Sequence, residues 1–98
     1  MVHVNARYEI KPGCMEKFIA VVSGIVDAVR AEKGCISYEL CRDVKPAADG
    51  KTYATFVETW ESEEALKAHG ATPHMQKFRE LVADLRTGGQ AIVLEKIV

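Results

Sequence analysis

The chain has 98 residues, 48% hydrophobic and 28% charged, with a formal net charge of -1. That size and balance describe a single soluble domain over residues 1–98. They exclude a nucleic-acid surface, which needs a basic stripe, and no apolar run nears the roughly 20 residues of a membrane-crossing helix. The opening MVHVNARYEI has no basic segment leading into an apolar one, so no secretory leader is read and a cytoplasmic location is expected.

Val2, Val4, Ala6, Tyr8 and Ile10 alternate with His3, Asn5, Arg7 and Glu9, the pattern of a half-buried strand. Lys11-Pro12-Gly13 breaks it, since Pro lacks a ladder donor and Gly permits a turn. From Met15 the period becomes helical: Met15, Phe18, Ile19, Val22, Ile25, Val26 and Val29 form one stripe, and one helix is expected from Met15 to Glu32, stopped by Gly34.

CISYELCRD alternates again, with Ile36, Tyr38 and Leu40 on one face. The odd count of three cysteines, without C-x-x-C spacing, reads as reduced thiols. Cys35 and Cys41 are expected on one face of this strand but about 20 Å apart, too far to bridge. Pro46 and Asp49-Gly50 then mark a loop, and TYATFVETW, β-branched and aromatic, is the third strand.

Ser62 starts a short helix with Glu63 and Glu64 in its first turn, and Gly70 ends it. Thr72 as N-cap and Pro73 at the first helical position start another, striped by Met75, Phe78, Leu81, Val82 and Leu85. Gly88-Gly89 is expected to stop it, leaving QAIVLEKIV as a last strand.

This order gives an α+β fold, the ferredoxin-like split βαβ: a four-stranded antiparallel sheet with helices on one face. The other face would carry Tyr53, Thr55, Val57 and Thr59, with either Ile92 and Leu94 or Val93 and Ile97. So much uncovered apolar area favours a homodimer packed through the sheet faces.

On the helix side, Tyr8, Tyr38, Phe56, Trp60 and Phe78 would line an aromatic slot. Glu58, in phase with Phe56 and Trp60, points where aromatics point and needs a partner there, as a fold-holding contact or as a working carboxylate. His69 closes one helix, where the dipole favours a cation. His74 opens the next, where the dipole disfavours positive charge and a neutral imidazole can act as a base. Two histidines five apart across a helix break do not match the i, i+4 spacing of a zinc helix. Glu58 could be a third ligand, but nothing in the spacing specifies it, and no metal site is expected.

The run ETWESEEALKAHGATPHMQKF, Glu58 to Phe78, resembles the signature of antibiotic-biosynthesis-monooxygenase (ABM) domains: Glu-x-Trp at a strand end, an acidic helix ending in His, then Thr-Pro-His. The KPG turn and EKGCISYEL are similar to that family too, so the resemblance covers nearly the whole chain. It implies a dimeric α/β barrel with a pocket between sheet and helices. It also implies a reaction among cofactor-free oxygenation of quinols or phenols, haem degradation, and isomerisation of a phosphorylated signal. Haem-degrading members use an inward Asn on strand one, whereas here Asn5 is out of phase and Ala6 points inward. The isomerase depends on a histidine in the first helix, which has none here. The expectation is therefore a monooxygenase without cofactor, acting on a small aromatic substrate and O2. His69, His74, Glu58 and Trp60 would be catalytic, with Tyr8, Tyr38, Phe56 and Phe78 binding the ring. An isomerase, a haem-degrading monooxygenase or a non-catalytic ligand-binding dimer are the alternatives.

Overall fold

The computed structural model describes residues 1–98. Its elements are β1 (Val2–Ile10), α1 (Met15–Ser23), α2 (Val26–Arg30), β2 (Cys35–Arg42), β3 (Thr52–Trp60), α3 (Glu63–Gly70), α4 (Pro73–Val82) and β4 (Arg86–Glu95). The strands form one open antiparallel sheet in the order β2-β3-β1-β4. Within one chain this sheet does not close into a barrel. The helices lie on a single face, as the split βαβ pattern requires.

The core fills the space between that face and the helices. β1 contributes Val2, Val4, Ala6 and Ile10, and β3 contributes Ala54, Phe56 and Trp60. The helices answer with Phe18, Val22, Ile25, Val29, Met75, Phe78 and Val82. Burying a side chain of this size is worth about 1.5–3 kcal/mol, so this cluster is the main source of stability.

Four local expectations are corrected. The first helix is broken in two: Gly24 N–H reaches back to both Ala20 and Val21 carbonyls, and Ile25 N–H to Val22. The apolar stripe survives the break, but α2 stops at Arg30 and leaves Glu32 in a turn. In β2 the pairing shifts between Cys35 and Ser37. This irregularity reverses the alternation, so Tyr38 and Leu40 point inward while Ile36 is 50% exposed. It also puts Cys35, paired with Trp60, and Cys41, paired with Thr55, on opposite faces; both are free thiols.

The third correction concerns α4, which ends at Val82, with Leu81 exposed. Gly88 and Gly89 lie inside β4, opposite Glu9 and Tyr8. A Cβ on Gly89 would come within 3.0 Å of the Arg86 guanidinium, which stacks over the Tyr8 ring at 4.5 Å. A glycine in a strand commonly marks such a close approach. Finally, β4 ends at Glu95, so Ile97 and Val98 lie beyond it.

Register decides which residues of β4 face away from the helices. Leu94 pairs with His3 and Ile92 with Asn5, on the open face with Thr55, Val57 and Thr59. Val93 lies on the helix side and is still 51% exposed, because the helices leave this edge strand largely uncovered.

Candidate active site

Glu58 takes the inward position between Phe56 and Trp60 on β3, and only 6% of it is exposed. Its Oε1 accepts a hydrogen bond from Trp60 Nε1 at 3.0 Å. Burial raises the carboxyl above its usual acidity range; the Trp60 donor and nearby His69 pull it back, while Glu32 pushes it up. Glu58 is thus partnered by an indole, not by a helix N-terminus or an arginine.

The two histidines are positioned by the junction between α3 and α4. Ser62 Oγ caps α3 by accepting from Ala65 N–H, and Thr72 Oγ1 caps α4 by accepting from Met75 N–H. The Thr72 hydroxyl also donates to the His69 carbonyl at 2.9 Å, tying the end of one helix to the start of the next. Pro73 at the first position of α4 fixes the backbone entering it.

His69, at the end of α3, is buried, with 6% exposed. Its ring lies obliquely on Trp60, with centroids 4.5 Å apart, and meets Tyr38 edge-on at 5.7 Å. His69 Nδ1 is 2.9 Å from Glu32 Oε2, and His74 Nε2 is 2.7 Å from the same oxygen. One carboxylate therefore holds both imidazoles. Every fully buried side-chain nitrogen or oxygen has a hydrogen-bond partner, and His69 Nε2 makes no bond, so solvent reaches that atom.

Glu32 is the residue that sequence reasoning missed. A first helix running unbroken from Met15 makes Glu32 simply its end. A signal existed, because a carboxylate at a helix C-terminus is disfavoured by the dipole and needs some other reason to be there. The reason is positional. Gly34, at φ +88°, turns the chain back against α3, and Gly34 O accepts from Glu61 N–H at 2.8 Å.

The five aromatic side chains do come together. Tyr8 lies 5.5 Å from both Phe18 and Phe56, Tyr38 lies 5.3 Å from Phe56, and Phe78 lies 5.8 Å from Phe56. Tyr38, Phe56, Trp60 and Phe78 are fully buried, and Tyr8 is half-buried at their edge. The rings thus fill the space between them. Burial pushes the Tyr8 and Tyr38 hydroxyls up, Tyr38 far more. An open cavity of about 330 Å³ lies between α1–α2 and β2–β3, lined by Ile19, Val22, Val26 and Leu40 together with Arg30 and Arg42. Neither histidine, Glu58 nor any of the five aromatics lines it.

Fold and site together define a ferredoxin-like α+β domain with a histidine–carboxylate cluster set against a buried tryptophan. The chain belongs to the antibiotic biosynthesis monooxygenase family, whose model matches residues 1–81. It is 32% identical over 94 residues to the Synechocystis protein sll1783, covering 96% of this chain but 61% of that relative. It thus spans about three fifths of that protein's length. It is 32% identical over 93 residues to a Mycobacterium tuberculosis protein named "Putative monooxygenase Rv0793", covering 95% of this chain and 87% of the relative. The solved structure of Rv0793 superposes with a TM-score of 0.82 at 31% identity, over 99% of this chain and 95% of that one. A crystal structure described as an antibiotic biosynthesis monooxygenase matches at a TM-score of 0.86 over all of both chains; at 24% identity it bears on the fold alone. No helix is long and apolar enough to cross a membrane.

Proposed function

We propose that the protein is a monooxygenase that oxidises a quinol or related phenol with molecular oxygen and no bound cofactor, working as a homodimer. The observation that carries this reading is the His69 imidazole, gripped through Nδ1 by Glu32 while its Nε2 stays unbonded. A neutral imidazole carries one N–H. Donating it from Nδ1 to a carboxylate leaves a lone pair on Nε2, the arrangement a general base needs.

In this scheme His69 takes a phenolic proton, and the Glu32 carboxylate on its Nδ1 steadies the imidazolium that forms, while Glu58 holds the Trp60 indole against the ring. His74, on the same Glu32 oxygen, holds that carboxylate in place. The substrate anion passes electrons to O2: one oxygen atom enters the ring, the other leaves as water, and a quinol becomes a hydroxyquinone. All four electrons come from the quinol, so the reaction balances without another reductant. Tyr8, Tyr38, Phe56, Trp60 and Phe78 would supply the ring-binding surface. They fill it in this structure, so binding would displace one ring, and half-buried Tyr8 has the most room to move.

The alternative is a ligand-binding dimer without chemistry. The cavity beside α1 and α2 favours it, since its apolar walls and two arginines suit a flat acid while His69 is absent from its lining. The haem-degrading reading is weaker, because Asn5 lies on the open face beside Val57 and Ile92.

Oxygen uptake with a panel of reduced quinols separates the two. The oxygenase reading expects uptake matched to quinol consumed, falling about 10²–10⁴-fold in His69→Ala, the usual worth of a general base. Absence of uptake with every quinol, alongside tight binding of another small acid, sinks it in favour of the binder.

A further inference from the structure

The cluster around Glu32 can do more than orient a base. Its three side chains come from separate places: the turn after α2, the last turn of α3 and the first turn of α4. One ligand atom from each of Glu32, His69 and His74 lies within 4.8 Å of the others. We propose that these three residues form a site for one divalent cation of the zinc class.

Zinc binds imidazole nitrogen and carboxylate oxygen at about 2.0–2.2 Å, which sets donor atoms of a tetrahedral site about 3.3 Å apart. Here Glu32 Oε2 already stands 2.9 Å from His69 Nδ1 and 2.7 Å from His74 Nε2. All three donor atoms lie within 4.8 Å of one another, so binding would move the carboxylate out by a few tenths of an ångström and swing the two imidazole nitrogens toward that spacing by side-chain rotation. Two imidazoles and one carboxylate suit zinc, cobalt, nickel or copper, and are too nitrogen-rich for magnesium or calcium. Access is available too: the Glu32 and His74 side chains are 12% and 25% exposed, leaving a wet side for entry and for a fourth ligand from water. The Thr72 bridge to the His69 carbonyl ties together the backbone that carries the two histidines, so the adjustment is left to their side chains.

A cation here takes the place now held by the two imidazole N–H groups. With the metal on Nδ1, the one proton of a neutral His69 must sit on Nε2, turning that atom from acceptor into donor. Where the proposed oxygenase reading holds, loading therefore switches the base off. This consequence rests on that reading; the site itself does not.

The test uses the full chain, stripped with a chelator and desalted. Zn2+ is titrated in competition with a chromophoric chelator, and Co2+ is followed by its visible absorption. The expected result is one ion per chain with four-coordinate Co2+ bands. Affinity should fall at least about tenfold in Glu32→Gln and about 100-fold in His74→Ala, with circular dichroism unchanged. His3→Ala, on the open face of the sheet, should bind as the wild type does. Unsaturable uptake, no uptake at micromolar Zn2+, or equal affinity in His74→Ala and wild type overturns the site. No substrate is present, so a failed oxygenase reading with intact Zn2+ binding, and the reverse, are told apart. If both hold, quinol-dependent oxygen uptake falls in proportion to the sites filled.

Discussion

Glu32 and His69, 37 residues apart in the chain, meet with 2.9 Å between carboxylate Oε2 and imidazole Nδ1. The contact joins the turn after α2 to the end of α3 and decides which nitrogen of His69 keeps its proton. In Glu32→Gln an amide NH2 replaces one carboxylate oxygen: in the place of Oε2 it faces both imidazoles with a donor, and in the place of Oε1 it meets the His69 Nδ1–H while an uncharged, weaker oxygen serves both rings. The expected cost is about 1–3 kcal/mol of stability, the usual penalty for a buried polar group left unpaired. Nitrogen-15 NMR should show His69 changing from a single Nδ1–H tautomer to a mixture. An unchanged tautomer would remove Glu32 from its assigned role.

Gly34→Ala is expected to be the most damaging small substitution in the chain. Its φ of +88° strains any residue with a Cβ, and that Cβ would sit 2.5 Å from the Ala65 Cβ. Strain and overlap together should cost about 2–5 kcal/mol in urea unfolding. Adding Ala65→Gly removes the overlap but keeps the strain, so the double variant should recover part of the loss. If it recovers nothing, close packing of this turn on α3 is not the cause.

The buried Glu58 gives a pH dependence whose sign can be worked out. Its folded-state pKa is raised above the ordinary 4.5, chiefly by burial, so the native state holds this proton to higher pH than the unfolded state does. Between the two values the native state binds more protons, and stability falls as pH rises. Glu58's contribution is complete below the ordinary value and is lost as pH passes the raised one. Glu58→Gln keeps an acceptor for Trp60 and never ionises, so its stability relative to wild type should climb over that window and then level off. Chemical denaturation at several pH values from 4 upward checks this, and a difference moving the other way rejects it.

These residues also show how far the sequence could be read. Two-residue and 3.6-residue periods gave the order of strands and helical segments, because burial on one face imposes them directly, though not the split of the first helix or the start of β4 at Arg86. Glu58 was recognisable as inward-facing by phase with Phe56 and Trp60, and Thr72-Pro73 by cap chemistry. What escaped were departures from period: the irregularity that turns Ile36 outward, and the early end of α2 at Arg30, which leaves Glu32 in a turn. Glu32 could not be paired with His69 and His74 from spacing, because the pairing depends on a left-handed turn at Gly34 and on how two helices dock. The burial of His69 escaped for the same reason. Its position at a helix end suggests exposure, and only the packing of α3 on β3 brings it against Trp60.

The uncovered sheet face leads to the last prediction. Val57, Ile92 and Leu94 are all exposed there, flanked by Thr55 and Thr59. A contiguous apolar patch on a sheet is usually covered, and a second copy related by a twofold axis presents the same patch to it. Light scattering should give a mass twice the 10.8 kDa of one chain. Leu94→Arg, placed next to His3 in the register, would bring two added positive charges toward each other across the axis and should yield monomer while leaving the helix-side core intact. Lys77→Glu, a charge reversal on α4 on the far side of the sheet, should leave the mass unchanged. A wild-type chain at 10.8 kDa in micromolar solution refutes the dimer outright. A Leu94→Arg chain that stays dimeric moves the contact away from this face, and the edge strand β4 with its exposed Val93 becomes the surface to examine.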